Sequence, residues 1–209
     1  MAATSLPSRR IGRPPATDSA VTRQRIIDRA RVSFAENGFD ATTNRSLAHD
    51  VGVTAGALYH YFGSKLDLYL AVDADVQKRV YTRMNAAVEA ADGFFGKFEA
   101  VLDVAQDLNA EDPSLASFVG ARRTDMRRHS EIAESIATER ERVRDFFARI
   151  VAAGVDAGEI DDDKASFVLE FVLTLLTGLT DGESDDPEIH ARAIAAIKMV
   201  LRDEAFLSH

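Results

Sequence analysis

Few residues in this 209-residue chain are spaced for catalysis. The histidines His49, His60, His129, His190 and His209 form no HxxxH or HExxH pair, and no glycine-rich phosphate loop or nucleophile elbow occurs. There is no cysteine, hence no disulfide framework, thiolate zinc site or cysteine nucleophile. Asp161, Asp162 and Asp163 lack the glycine and closing glutamate of a calcium loop, and suit the positive end of a following helix. These absences point away from an enzyme, a metal site or a cofactor. The chemistry on offer is hydrogen bonding to phosphates and base edges. Thr43 and Thr54 each precede a short helical segment, where a hydroxyl joins the first backbone N–H groups. Ala55, Gly56 and Ala57 are small enough to let a helix backbone approach the floor of a DNA groove, where a methyl group can touch thymine. Arg45 is a candidate for base or phosphate contact.

The elements around these residues follow from local signals. Gly38 after Asn37 closes an apolar periodic segment on a left-handed residue. That segment begins near Asp18 or Ser19, with Val21, Ile26, Ile27, Ala30 and Phe34 as its apolar stripe and Arg23, Arg25, Arg29 and Arg31 on the polar face. Thr43 caps a second helix whose buried side is Leu47, Ala48 and Val51. Val51-Gly52-Val53 turns the chain, and Thr54 caps a third helix, residues 55–61, with Tyr59 and His60 one turn on. Leu58 and Phe62 belong to the core, and Tyr61 packs against the first helix. Two short helices joined by a tight glycine turn make a helix-turn-helix, whose second member enters the major groove.

Charge agrees once it is partitioned. Residues 1–66 carry a net +4 and the remainder −13, giving −9 for the chain. A basic segment on an acidic protein suggests a nucleic-acid surface on one side only. Residues 1–17 lack periodicity and contain Pro7, Pro14 and Pro15, so they read as a flexible basic arm. Arg9, Arg10 and Arg13 flank Gly12 in a run similar to a minor-groove AT-hook, and a solvated basic tail is the alternative.

The run Phe34, Gly38-Phe39, Thr42-Thr43, Leu47-Ala48, Val51-Gly52-Val53-Thr54, Gly56, Leu58-Tyr59, Tyr61-Phe62, Ser64-Lys65 resembles the DNA-binding domain of the tetracycline-repressor (TetR) family. Asn44 departs from it, since the family usually has an apolar residue there. The resemblance implies that Tyr59 touches a phosphate or base edge, that His60 touches phosphate, and that Lys65 anchors the DNA backbone. It also implies a dimer and an effector pocket between the fourth and eighth helices, with repression as the default.

The rest of the chain reads as helices. Ser64 caps a long one in which Leu68, Val72, Val76, Val80, Met84 and Val88 recur every four residues. Phe94, Phe95, Phe98, Val101 and Leu102 mark the next, and Asp112-Pro113 starts another through Leu115, Phe118 and Val119. Ile132, Ile136, Val143, Phe146, Phe147 and Ile150 mark a further helix, kinked or preceded by a short piece near Ser130. The last two, about 162–180 and 187–204, include a helix apolar on almost every side; both cannot be central to one monomer, so they form a two-fold homodimer interface. No strand-type segment appears, so the fold is all-α with about nine helices: a helix-turn-helix domain over 18–66 and an effector-binding and dimerisation domain over 67–209. Phe94, Phe98, Phe118, Arg122, Phe147 and Phe171 are candidate effector-pocket residues, each phenylalanine also fitting a plain core.

No apolar run reaches about 18 residues and the N-terminus has no signal-type apolar core, so the expectation is a soluble cytoplasmic protein with no membrane partner. The expected function is a transcriptional regulator, by default a repressor. It binds double-stranded operator DNA as a dimer and is released by an unidentified small effector, apolar or amphipathic. A helical small-molecule-binding module, or an architectural DNA binder without an effector, are the alternatives.

Overall fold

The computed structural model describes residues 16–181 and 186–201. The arm with Arg9, Arg10 and Arg13, and residues 202–204 of the expected last helix, lie outside them. The described residues form ten α-helices and no strand: α1 (Ala16–Ala41), α2 (Asn44–Val51), α3 (Ala55–Tyr61), α4 (Lys65–Glu89), α5 (Gly93–Glu111), α6 (Ser114–Arg128), α7 (Ser130–Ser135), α8 (Ala137–Asp156), α9 (Ala165–Thr180) and α10 (Pro187–Leu201). A 3-10 turn at Asp162–Lys164 precedes α9. The expected all-α fold is present, with one helix more than about nine. The extra one comes from Ile136, whose backbone leaves the helical region (φ −109°, ψ 11°) and separates α7 from α8. The bend sends Ile132 and Ile136 into one core, and Phe146, Phe147 and Ile150 into another.

The first core joins α1, α2, α3, α6, α7 and the first half of α4 around Phe34, Leu47, Leu58, Leu68, Tyr69 and Phe118. The second joins α5, α8, α9, α10 and the far half of α4 around Phe98, Leu102, Phe147, Ile150 and Ile194. Helix α4 therefore belongs to both, as its four-residue apolar repeat requires: Leu68, Val72 and Val76 enter the first core and Met84 the second. Helix α1 packs mainly on α6 and α4 rather than on α2. Val21, expected in its apolar stripe, is exposed, and Arg31, expected on the polar face, is buried. Arg31 is drawn in because Asp112 Oδ2 at 2.5 Å and Ser114 Oγ at 2.9 Å, at the start of α6, accept from its guanidinium.

The joint between α1, α4 and α6 is built on Asp125. Gly38 adopts φ 73°, ψ 179°, a conformation open in practice only to glycine, and breaks the regular hydrogen bonding of α1. The Phe39 N–H freed by this break donates to Asp125 Oδ1 at 3.1 Å and Oδ2 at 3.2 Å, and the Tyr69 hydroxyl donates to Oδ2 at 3.0 Å. Burial, reinforced by the adjacent carboxylate, pushes the Tyr69 phenol far above its ordinary pKa, so it holds its proton and can only donate. The rings of Phe34, Phe39 and Phe118 pack against Tyr69 with centroids 4.9, 5.3 and 5.4 Å away. Removing Asp125 leaves two buried donors unpaired, so Asp125→Ala is expected to cost about 2–4 kcal/mol and Tyr69→Phe about 1 kcal/mol in urea unfolding. Equal costs for the two variants would contradict this geometry.

Candidate nucleic-acid interface and interior chamber

The helix-turn-helix forms for the local reasons its sequence suggests. The Thr43 hydroxyl accepts from Ser46 N–H at 3.0 Å and the Ser46 hydroxyl answers Thr43 N–H at 3.3 Å, a capping box at the start of α2. Gly52 closes α2 in the left-handed region (φ 77°), and Thr54 Oγ1 accepts from Ala57 N–H at 3.1 Å to start α3. Ser64 caps α4 by accepting from Asp67 N–H at 3.0 Å. Leu47, Ala48, Val51, Leu58 and Phe62 face inward. That leaves Thr43, Arg45, Thr54, Ala55, Gly56, Tyr59 and His60 exposed. Tyr59 is 53% exposed, a large aromatic residue more than half open to solvent.

Three arginines of α1 hold this head in place. Arg25 donates to the Val51 carbonyl at 3.0 Å, Arg29 lies 3.8 Å from Asp50, and the Arg23 guanidinium sits 4.9 Å from the Phe62 ring centroid. Lys65 is only half-exposed: its ammonium donates to the carbonyls of Phe39 at 2.7 Å and Thr42 at 3.2 Å and lies 4.1 Å from the Phe39 ring centroid. It therefore ties the end of α1 to the start of α4, with one N–H left for any other partner. Asn44, where the family has an apolar residue, leaves Oδ1 buried without a hydrogen bond.

The second feature is a cavity of about 460 Å³ lined by α4, α5, α6, α8, α9 and α10. Its apolar wall includes Val76, Val80, Met84, Leu108, Val119, Phe147 and Leu176. Of the candidate pocket residues, Arg122 and Phe147 line it. Phe94 and Phe98 instead stack with centroids 5.6 Å apart in the second core, and Phe118 fills the first. Phe171 lies on the outer side of α9 and is exposed. The wall also carries residues that sequence reasoning missed, namely Gln77, Asn109 and His190, all buried. Their signal was a polar residue on the inner side of an otherwise apolar helix.

Chamber and head share α6. Arg122 Nη1 donates to Asp73 Oδ1 of α4 at 2.5 Å, both side chains buried. One turn further along the same two helices, Asp125 meets Tyr69. The α4–α6 contact is thus two buried rungs, one at the chamber wall and one at the Phe39 amide that leads into α2.

Residues 26–72 match a family model described as "Bacterial regulatory proteins, tetR family". The chain is similar to the HTH-type transcriptional repressor AcnR of Corynebacterium glutamicum, 30% identical over 166 residues that span 75% of this chain and 79% of that one. In fold it is similar to Salmonella enterica GusR, with a TM-score of 0.71 and 22% identity over 96% of this chain and 100% of that one. It is also similar in fold to FadR of Bacillus subtilis, solved in complex with stearoyl-CoA, with a TM-score of 0.71 and 20% identity over 88% of this chain and 97% of that one.

A buried ion pair is worth little against an apolar replacement but leaves a costly charge when halved. Arg122→Met is therefore expected to lose about 3–5 kcal/mol in urea unfolding, and Asp73→Leu combined with Arg122→Met to recover most of that loss. A double variant as unstable as the single one would show that the pair does not act as a unit.

Proposed function

The chain belongs to the tetracycline-repressor (TetR) family of DNA-binding transcriptional regulators, and from that premise we propose that it is a dimeric repressor of a palindromic operator, released by a small effector. The observation that carries the reading is the exposed face of α2 and α3. Every residue there that can address DNA is free of the core, while the same helices bury Leu47, Val51 and Leu58. In this reading residues 18–66 read DNA and residues 67–209 receive the effector and dimerise. The N-termini of α2 and α3, with Thr43 and Thr54, offer donors to phosphate. Ala55 and Gly56 let α3 approach base edges, Arg45 and Tyr59 reach a base or phosphate, and His60 reaches phosphate. Arg9, Arg10 and Arg13 add minor-groove or non-specific phosphate contacts from the arm.

Dimerisation is proposed through α9 and α10. Phe167 is 76% exposed and Met199 74%, with Phe171 one turn beyond Phe167 on α9 and Val200 next to Met199 on α10. Four large apolar residues on two adjacent helices favour burial against a second copy, a two-fold four-helix arrangement. The chamber is proposed as the effector site, with the Arg122–Asp73 and Asp125–Tyr69 rungs carrying its state to the Phe39 amide. The bound stearoyl-CoA of the Bacillus neighbour supports an apolar or amphipathic effector here. The effector need only favour a head spacing unlike the one-turn separation of about 34–36 Å that operator half-sites demand.

Selection of bound sequences from random DNA tests the reading, with two inverted half-sites as the expected product; recovery of unrelated sequences would favour an architectural binder. Arg45→Ala and Tyr59→Ala are each expected to weaken operator binding about tenfold in gel shifts without lowering the melting temperature. Lys65→Ala should lower both, because its ammonium also joins α1 to α4; unchanged DNA affinity would remove it from the interface. Phe167→Glu with Met199→Glu is expected to convert the dimer to a 22.8 kDa monomer in sedimentation equilibrium. A variant that stays dimeric places the interface elsewhere.

A further inference from the structure

Five polar atoms on four different helices are buried at the chamber without a hydrogen-bond partner. They are Gln77 Oε1 on α4, Asn109 Oδ1 and Nδ2 on α5, Arg122 Nε on α6 and His190 Nδ1 on α10. None of these residues is more than 8% exposed. A packed apolar core has no use for them, since each forfeits its hydration without a replacement bond. Their convergence on one cavity is what a preformed polar recognition point looks like.

The charges around the chamber divide it into two regions. Four arginines line it and no carboxylate does. Three of the four already have acidic partners: Arg122 with Asp73, Arg123 with Asp181, and Arg144 with Glu170. Arg140 has none among the described residues, and like Arg144 it is exposed, so these two mark where the chamber opens. The buried region is different. Its one cation is already neutralised by Asp73, and burial lowers the His190 pKa, leaving that ring neutral near pH 7. It therefore presents uncharged donors and acceptors, which suit a neutral oxygen and not a second ion.

We propose that the chamber takes an amphipathic organic monoanion. Its apolar body carries an uncharged hydroxyl or carbonyl oxygen at the buried end, held by Asn109, Gln77, His190 and Arg122, and its carboxylate or phosphodiester lies at the mouth beside Arg140. This deepens the reading of the chamber as the effector site, and rests on that reading only for the link to DNA release.

Isothermal titration of the full-length protein with dodecanoate, 12-hydroxydodecanoate and 1,12-dodecanediol tests the assignment. The hydroxy acid is expected to bind at least about tenfold more tightly than dodecanoate, because the plain acid strands the buried polar groups. Asn109→Leu should reduce that ratio to about threefold or less. It replaces unpaired atoms by apolar ones of similar size, so the fold should survive, and Gln77→Leu provides a second variant with the same expected direction. Arg140→Ala should weaken both acids by a common factor of about three to ten and leave the diol unchanged. Equal affinities for the two acids, as a merely water-filled chamber would give, overturn the proposal. So does failure of the hydroxy acid to bind at millimolar concentration, or an Arg140→Ala effect common to all three probes. Gel shifts on the selected operator separate the two levels. A hydroxy acid that binds in the expected order yet leaves the DNA complex intact refutes the effector role and keeps the ligand class. Two acids that bind and release DNA equally well do the reverse.

Discussion

A buried carboxylate must find donors, and in this protein the Asp125 carboxylate finds them on two different helices at once. One is the Tyr69 hydroxyl of α4 and the other is the Phe39 amide at the end of α1. That amide is available only because Gly38 leaves the helical region, and a Cβ at Gly38 would lie 3.3 Å from Asp125 Oδ1. Glycine, carboxylate and tyrosine therefore constrain one another, and the aromatic packing of Phe34, Phe39 and Phe118 excludes the water that could substitute for any of them. The orientation of α2 and α3 depends on this joint, since the chain enters α2 directly from the segment that Asp125 holds.

The same constraint explains how a chamber could influence a surface at the other end of the molecule. Helix α6 carries Arg122 at the chamber wall and Asp125 at the joint, one turn apart, and α4 carries their partners Asp73 and Tyr69 with the same spacing. Buried polar pairs do not stretch gradually, because a lengthened bond in a low-dielectric interior loses most of its value while the desolvation remains unpaid. A displacement of α6 is thus opposed at both rungs or accommodated by a second discrete arrangement, which is the kind of element a two-state switch requires.

Charge is distributed by the same economy. The head region is the basic part of an acidic chain, yet most of its described arginines are committed to structure. Arg23, Arg25 and Arg29 staple α1 to α2 and α3, and Arg31 crosses to α6. The surface proposed for DNA consists of helix N-termini, small residues, Arg45, Tyr59 and His60, with part of Lys65. The chamber makes the opposite choice and leaves five buried polar atoms unpaired around one cavity, at a cost in stability.

The sequence by itself determined whatever depends on neighbours within a few residues. Thr43, Thr54 and Ser64 cap the helices they precede, Gly38 and Gly52 take up positive-φ backbone, and the apolar repeat of α4 is buried at Leu68, Val72, Val76 and Met84 and half-buried at Val80 and Val88. These are local interactions, with partners three or four positions away, and they were enough to delimit the helix-turn-helix and to identify its family. Only the tertiary structure decided what partners far along the chain do. It withdrew Arg31 from the surface to meet Asp112, tied the Lys65 ammonium to the carbonyls of Phe39 and Thr42, and gave Asp125 the Phe39 amide. It also sorted the phenylalanines, leaving Phe147 at the chamber, Phe94, Phe98 and Phe118 in the cores and Phe171 outside. Helical periodicity says which face of a helix is apolar; whether that face meets a core, a cavity or a second copy depends on helices from elsewhere in the chain, and no spacing within one segment records it.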